Sequence, residues 1–145
     1  MKKLLIIFLC GILLISCNKN EENLDYTTEL FENKVEYVGN NSEVGGLLNL
    51  QATPKGKFQI LSEEEPFGLI VETDYGLEEE KIKQEGYELL GLIENLSYVT
   101  YKNKEEEKTI TLEEAEEDLG YSPKEFYKDK GKLEEFEKGI NWCIY

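Results

Sequence analysis

Phe58-Gln59-Ile60-Leu61-Ser62-Glu63-Glu64-Glu65-Pro66-Phe67-Gly68-Leu69-Ile70-Val71-Glu72-Thr73 holds two short apolar runs, 58–61 and 67–73, separated by the polar stretch Ser62 to Pro66. Short runs rich in Ile, Val, Leu and Phe, bounded by turn residues, read as two strands joined by a hairpin connection. Downstream, Leu77 to Leu96 places Ile82, Leu89, Leu90, Leu92, Ile93 and Leu96 near helical spacing, with Glu and Lys opposite. That pattern predicts a helix, which Gly86 and Gly91 weaken. Ser97 to Tyr101 alternates as a strand, Asn103 to Glu107 is a charged turn, and Lys108 to Thr111 is a short returning strand.

Two helix starts follow. Thr111-Leu112-Glu113-Glu114 is a capping box opening a short helix that stops at Gly120. Ser122-Pro123-Lys124-Glu125 is another, with Pro at the first helical position. The helix it opens carries Phe126, Tyr127, Leu133 and Phe136 to about Gly139, with Gly131 as the place for an interruption. The apolar tail Ile140 to Tyr145 is expected to dock on the domain.

Upstream, Thr53 to Gly56 is a loop and Gly39-Asn40-Asn41 is turn chemistry. Asn41 or Ser42 can cap a helix carrying Val44, Leu47 and Leu48, in which Gly45 and Gly46 would permit close packing. Thr27 to Asn33 predicts a helical turn with Leu30 and Phe31 inward. No internal repeat appears. The order of elements predicts an α+β domain: a small antiparallel sheet of about four strands with helices packed on one face.

The first seventeen residues carry a different signal. Lys2 and Lys3 form a basic start, and Leu4 to Ile15 is an apolar run of 12 residues. As a helix it reaches about 18 Å, short of a hydrocarbon core of about 30 Å, and it suits a secretory signal. The run ends in Leu14-Ile15-Ser16-Cys17 and turns polar at Asn18. This resembles a bacterial lipobox, which implies cleavage between Ser16 and Cys17 with diacylglycerol on the Cys17 thiol; the alternative is an ordinary secretory signal with an incidental cysteine, or an uncleaved anchor. Two acyl chains anchor stably where one is marginal. Residues 1–16 therefore read as a signal peptide, residues 17–26 as a lipidated cysteine with a flexible tether, and residues 27–145 as one domain. Asn18 to Tyr26 has little apolar content and would span about 30 Å if extended. The expected place is the cell membrane, lipid-anchored at its extracytoplasmic face.

Cysteine use agrees. Cys10 leaves with the signal, Cys17 carries lipid, and Cys143, between Trp142 and Ile144, remains as a structural thiol with no intramolecular partner. The full chain of 145 residues has 31 acidic residues against 16 Lys, no Arg and no His, for a net charge of -15. Such a balance argues against nucleic acid as a partner, because a phosphate backbone needs clustered cations. The absence of His removes the commonest general base and metal ligand at neutral pH.

Four segments in order resemble the bacterial domain-of-unknown-function family numbered 4825. They are Tyr37-Val38-Gly39-Asn40-Asn41-Ser42-Glu43-Val44-Gly45, Glu65-Pro66-Phe67-Gly68-Leu69, Leu89-Leu90-Gly91-Leu92-Ile93-Glu94-Asn95 and Thr109-Ile110-Thr111-Leu112-Glu113-Glu114-Ala115. Together they span about residues 31 to 120. The resemblance implies a small extracytoplasmic domain of Gram-positive bacteria, found as a lone lipoprotein or appended to membrane sensors that carry a zinc metallopeptidase. It suggests sensing or partner binding and supplies no functional residues.

Several segments are candidates for chemistry. The turn Gly39, Asn40, Asn41, Ser42 with Gly45 can form an anion nest, or a capped turn whose glycines allow close packing. The acidic runs Glu63–Glu65, Glu78–Glu80, Glu105–Glu107 and Glu113–Asp118 lack the ligand spacing of a calcium loop and read as solvated faces. Lys57 to Leu61 and Phe67 to Val71 can offer a sheet edge to a partner strand. Tyr37, Tyr75, Tyr98 and Tyr101 suit core or rim packing, or stacking on a sugar. No catalytic constellation, cofactor or metal site is expected. The leading expectation is a non-enzymatic lipid-anchored domain binding a membrane sensor or envelope protein. The alternative is a small-ligand or ion-binding lipoprotein using the Gly39 to Gly46 turn. An envelope hydrolase using carboxylates ranks last.

Overall fold

The computed structural model describes residues 21–53 and 55–140. The signal segment, Ser16, Cys17 and the tail Asn141 to Tyr145, with Cys143, lie outside the described residues. The elements in order are α1 (Glu21–Glu32), α2 (Asn41–Leu50), β1 (Phe58–Leu61), β2 (Gly68–Glu72), α3 (Glu79–Leu92), β3 (Tyr98–Lys102), β4 (Glu107–Thr111), α4 (Leu112–Leu119), α5 (Glu125–Lys128) and α6 (Lys130–Ile140). The class is α+β.

The strands lie in the order β1-β2-β3-β4. The two hairpins, β1 with β2 and β3 with β4, are antiparallel as expected, but the central pair β2 and β3 is parallel. A wholly antiparallel sheet is therefore corrected to a mixed one. The 25 residues between Glu72 and Tyr98 hold α3, long enough for the crossover that a parallel pair requires. The expected strand at Phe67 to Val71 is β2, which starts at Gly68 and is an interior strand; β1 and β4 are the edges.

One face of the sheet buries Leu69, Val71, Val99, Tyr101 and Ile110, following the period-two alternation of strands. Over that face lies α3, where Gly86 lets the helix approach: a Cβ there would stand 2.9 Å from Ile110 Cδ1. Farther along, a Cβ on Gly91 would collide with the Phe126 ring and the Pro123 carbonyl. The glycines that weaken the helical reading are thus the contact points of the most buried helix. Val35 bridges to Ile93, its N–H bonding Leu92 O at 2.7 Å and its carbonyl accepting from Glu94 N at 2.9 Å.

Helix ends follow their caps, with three corrections. The α2 N-cap is Asn40, ahead of both Asn41 and Ser42; its side chain accepts from Glu43 N at 3.3 Å. Thr111 caps α4 through Glu114 N at 3.1 Å, and Gly120 ends it in the left-handed region at φ 77°. Ser122 opens only a turn, and the helix expected after it breaks at Asp129, two residues before Gly131. Asp129 is extended and its Oδ1 accepts from Gly131 N at 2.8 Å, capping α6. The spacer is also shorter than expected, because Glu21 to Tyr26 belong to α1.

Candidate functional site

Helix α3 has more buried residues than its apolar stripe accounts for. Glu85 is 4 % exposed and Glu88 is fully buried. Both lie on the side of the helix expected to be inward, three and six residues after Ile82. The reading that set every Glu of this helix opposite its apolar stripe is corrected here.

Each carboxylate is surrounded by donors from other elements. Gln51, just after α2, donates from Nε2 to Glu88 Oε2 at 2.7 Å and to the Glu85 carbonyl at 3.0 Å. The Tyr26 hydroxyl of α1 donates to Glu88 Oε2 at 3.3 Å. Glu85 accepts from Thr53 N at 2.9 Å and pairs with Lys55 at 3.2 Å, both side chains being 5 % exposed. Lys55 also donates to Thr53 O at 2.8 Å. From α6, Glu137 hydrogen-bonds Glu88, and Gln84 Nε2 reaches both carboxylates at 3.4 and 3.5 Å.

Two carboxyl groups hydrogen-bond one another only when one of them keeps a proton. Burial, followed by the Glu137 charge, pushes Glu88 well above the usual carboxylate range; the Gln51 bond acts the other way. Burial also raises Glu137, while its bonds from Glu88 and Gln84 lower it. Glu88 and Glu137 are thus both raised, and the pair shares a proton. Burial lowers Lys55 against the pull of Glu85. Burial likewise pushes up Tyr101, whose hydroxyl meets the fields of Glu85 and Glu88 and has no hydrogen-bond partner among the described residues. With no exposed surface, Glu88 cannot touch a substrate. What the cluster does is hold a proton and fasten α1 and α6 to α3.

A second buried amine closes the other end of α3. Lys124 Nζ donates to Ile93 O at 2.8 Å and Leu96 O at 2.7 Å, satisfying carbonyls past the helix end. Burial brings it down to about 8.

An open cleft of about 480 Å³ lies where β2 and β3 end and β1 begins. Its walls carry Lys57, Lys102 and Lys104 together with Glu72 and Asp74, and Lys102 pairs with Glu72 at 3.3 Å. Asn103 ties the loops beneath it, donating to Tyr75 O at 2.9 Å and accepting from Glu105 N and Glu106 N at 2.8 Å.

The Gly39 to Gly46 turn is put to structural use. Asn40 occupies the helix N-terminus, Gly45 receives the Phe58 ring, and Gly46 has open space where a Cβ would stand. No residue of this turn has the left-handed φ that an alternating nest employs. Asn41 and Ser42 are exposed and stand apart from the buried cluster. Tyr101 is core, Tyr98 lies across Gly68, and Tyr37 and Tyr75 are exposed. The acidic runs stay largely at the surface, Asp118 meeting Lys83 and the Tyr87 hydroxyl. Among the described residues no group of acidic or cysteine side chains is placed to hold a metal ion, and no helix is long and apolar enough to cross a membrane.

Residues 30–115 match the family model described as Domain of unknown function (DUF4825). The chain belongs to this family. The matched span of the DUF4825 domain takes in α2, α3 and all four strands, and so includes Gln51, Lys55, Glu85, Glu88 and the cleft; Tyr26 and Glu137 lie outside it. No curated protein and no solved structure matches the chain.

Nothing in the hydrophobic pattern separates Glu85 and Glu88 from solvated glutamates except their spacing from Ile82. The cleft had no signal at all, because Lys57, Asp74 and Lys104 are brought together only by strand order.

Proposed function

We propose that this DUF4825 protein is a lipid-anchored, non-enzymatic domain that binds or senses a partner at the outer face of a Gram-positive cell membrane. The observation that carries this reading is Leu14-Ile15-Ser16-Cys17 after a basic start and an apolar run of 12 residues. Anchoring follows from diacylglycerol on Cys17. Helix α1 takes in Glu21 to Tyr26, so an anchor at Cys17 would hold the domain nearer the membrane than a flexible tether reaching to Tyr26. The edge strand β1 supports partner binding, since an edge presents backbone groups that another strand can pair with.

The test is metabolic labelling with an alkyne fatty acid in a Gram-positive host, with protease added to intact cells. Label on the wild type, none on Cys17→Ala, and digestion from outside are expected. Unlabelled wild-type protein, or protein protected inside the cell, would overturn the reading.

A further inference from the structure

We propose that the cleft at the carboxyl ends of β2 and β3 binds a small zwitterion, a free amino acid or short peptide with an ammonium at one end and a carboxylate at the other. This goes beyond anchoring and partner binding and does not depend on them. The volume of about 480 Å³ is in the range of small-molecule sites, and the walls carry no aliphatic or aromatic side chain. A ligand held here is recognised by charge and hydrogen bonds.

The charges are ordered by the sheet. Across neighbouring strand ends they run Lys57 before β1, Glu72 and Asp74 on and after β2, and Lys102 and Lys104 on and after β3: positive, negative, positive. Lys102 and Glu72 neutralise one another. Lys57, Asp74 and Lys104 have no ion-pair partner among the described residues, although acidic residues outnumber lysines 31 to 16 in the chain. Neighbouring strands stand about 4.8 Å apart, so an ammonium on Asp74 leaves the carboxylate of the same small molecule within reach of a lysine on either flank. A simple anion would meet Asp74 and Glu72 as well as the lysines, and a metal cation would meet the lysines. A zwitterion satisfies both signs.

The probe is diglycine, titrated into the purified protein while backbone amide shifts are followed by NMR. Asp74 and Lys104 amides are expected to move, with N-acetyl-diglycine and diglycine amide each binding about tenfold more weakly. Asp74→Asn and Lys104→Gln should each weaken diglycine binding by a similar factor while leaving the melting temperature unchanged, because both side chains are exposed. Should a variant fail to fold, the capped peptides on the wild-type protein still decide. No shifts with diglycine, equal binding of the capped forms, or equal shifts with inorganic phosphate would overturn the proposal.

Discussion

The Tyr26 hydroxyl bonds the Glu88 carboxylate across 62 residues of sequence, joining the helix that follows Cys17 to the centre of the domain. Glu88 in turn bonds Gln51 and Glu137, so α1, the end of α2, α3 and α6 meet at one buried carboxyl group. Helix α1 is therefore fixed to the core by a polar contact.

Removing that contact should cost little, because Glu88 keeps Gln51 as a donor. Tyr26→Phe is expected to lower the unfolding free energy by about 1 kcal/mol in urea titration, with an unchanged m-value.

Glu88 and Glu137 make stability depend on pH with a definite sign. Both are raised above 4.5 in the folded protein, so the folded state binds more protons than the unfolded one above that pH. Their contribution is fully present below about pH 4.5 and is lost as pH rises through the raised values. Asp118, lowered by Tyr87 and Lys83, has the opposite sign and acts below 3.8. Melting temperature should fall from pH 4.5 towards neutrality. Glu88→Gln, which keeps a donor for Glu137 but cannot ionise, should flatten that slope.

The Lys55–Glu85 pair should show the asymmetry of buried ions. Lys55→Met leaves the Glu85 charge buried without its cation, at a cost of about 3 kcal/mol by chemical denaturation. Adding Glu85→Gln, which keeps an acceptor for Thr53 N, should restore more than half of the loss.

Two helical glycines should respond in opposite directions. Gly46→Ala has open space and is expected to stabilise by about 1 kcal/mol. Gly91→Ala drives a methyl into the Phe126 ring and the Pro123 carbonyl and should destabilise by about 1–3 kcal/mol. Thermal melts of the two variants check both.

Local signals were legible at α4 and in the two hairpins. Thr111 with Glu114 and Gly120 bracket α4, and both hairpins stand where the apolar runs place them. What needed the third dimension was not. The parallel pairing of β2 with β3 depends on where α3 delivers the chain, which periodicity does not encode. Glu88 has the composition of a surface residue, and Gln51, Tyr26 and Glu137, contributed by three distant segments, together with Gln84 on its own helix, make its burial tolerable. The Gly39 to Gly46 turn drew attention because of its glycines, whereas Asn40 uses it to start a helix.

The most direct test of the central claim is in-cell crosslinking of the tagged protein, followed by capture from native membranes and mass spectrometry, with Cys17→Ala as the control. One membrane or envelope protein recovered with the wild type and lost with Cys17→Ala is the predicted result. Recovery of no specific protein, or of the same protein at equal yield with Cys17→Ala, would contradict a partner-binding domain that works from its lipid anchor.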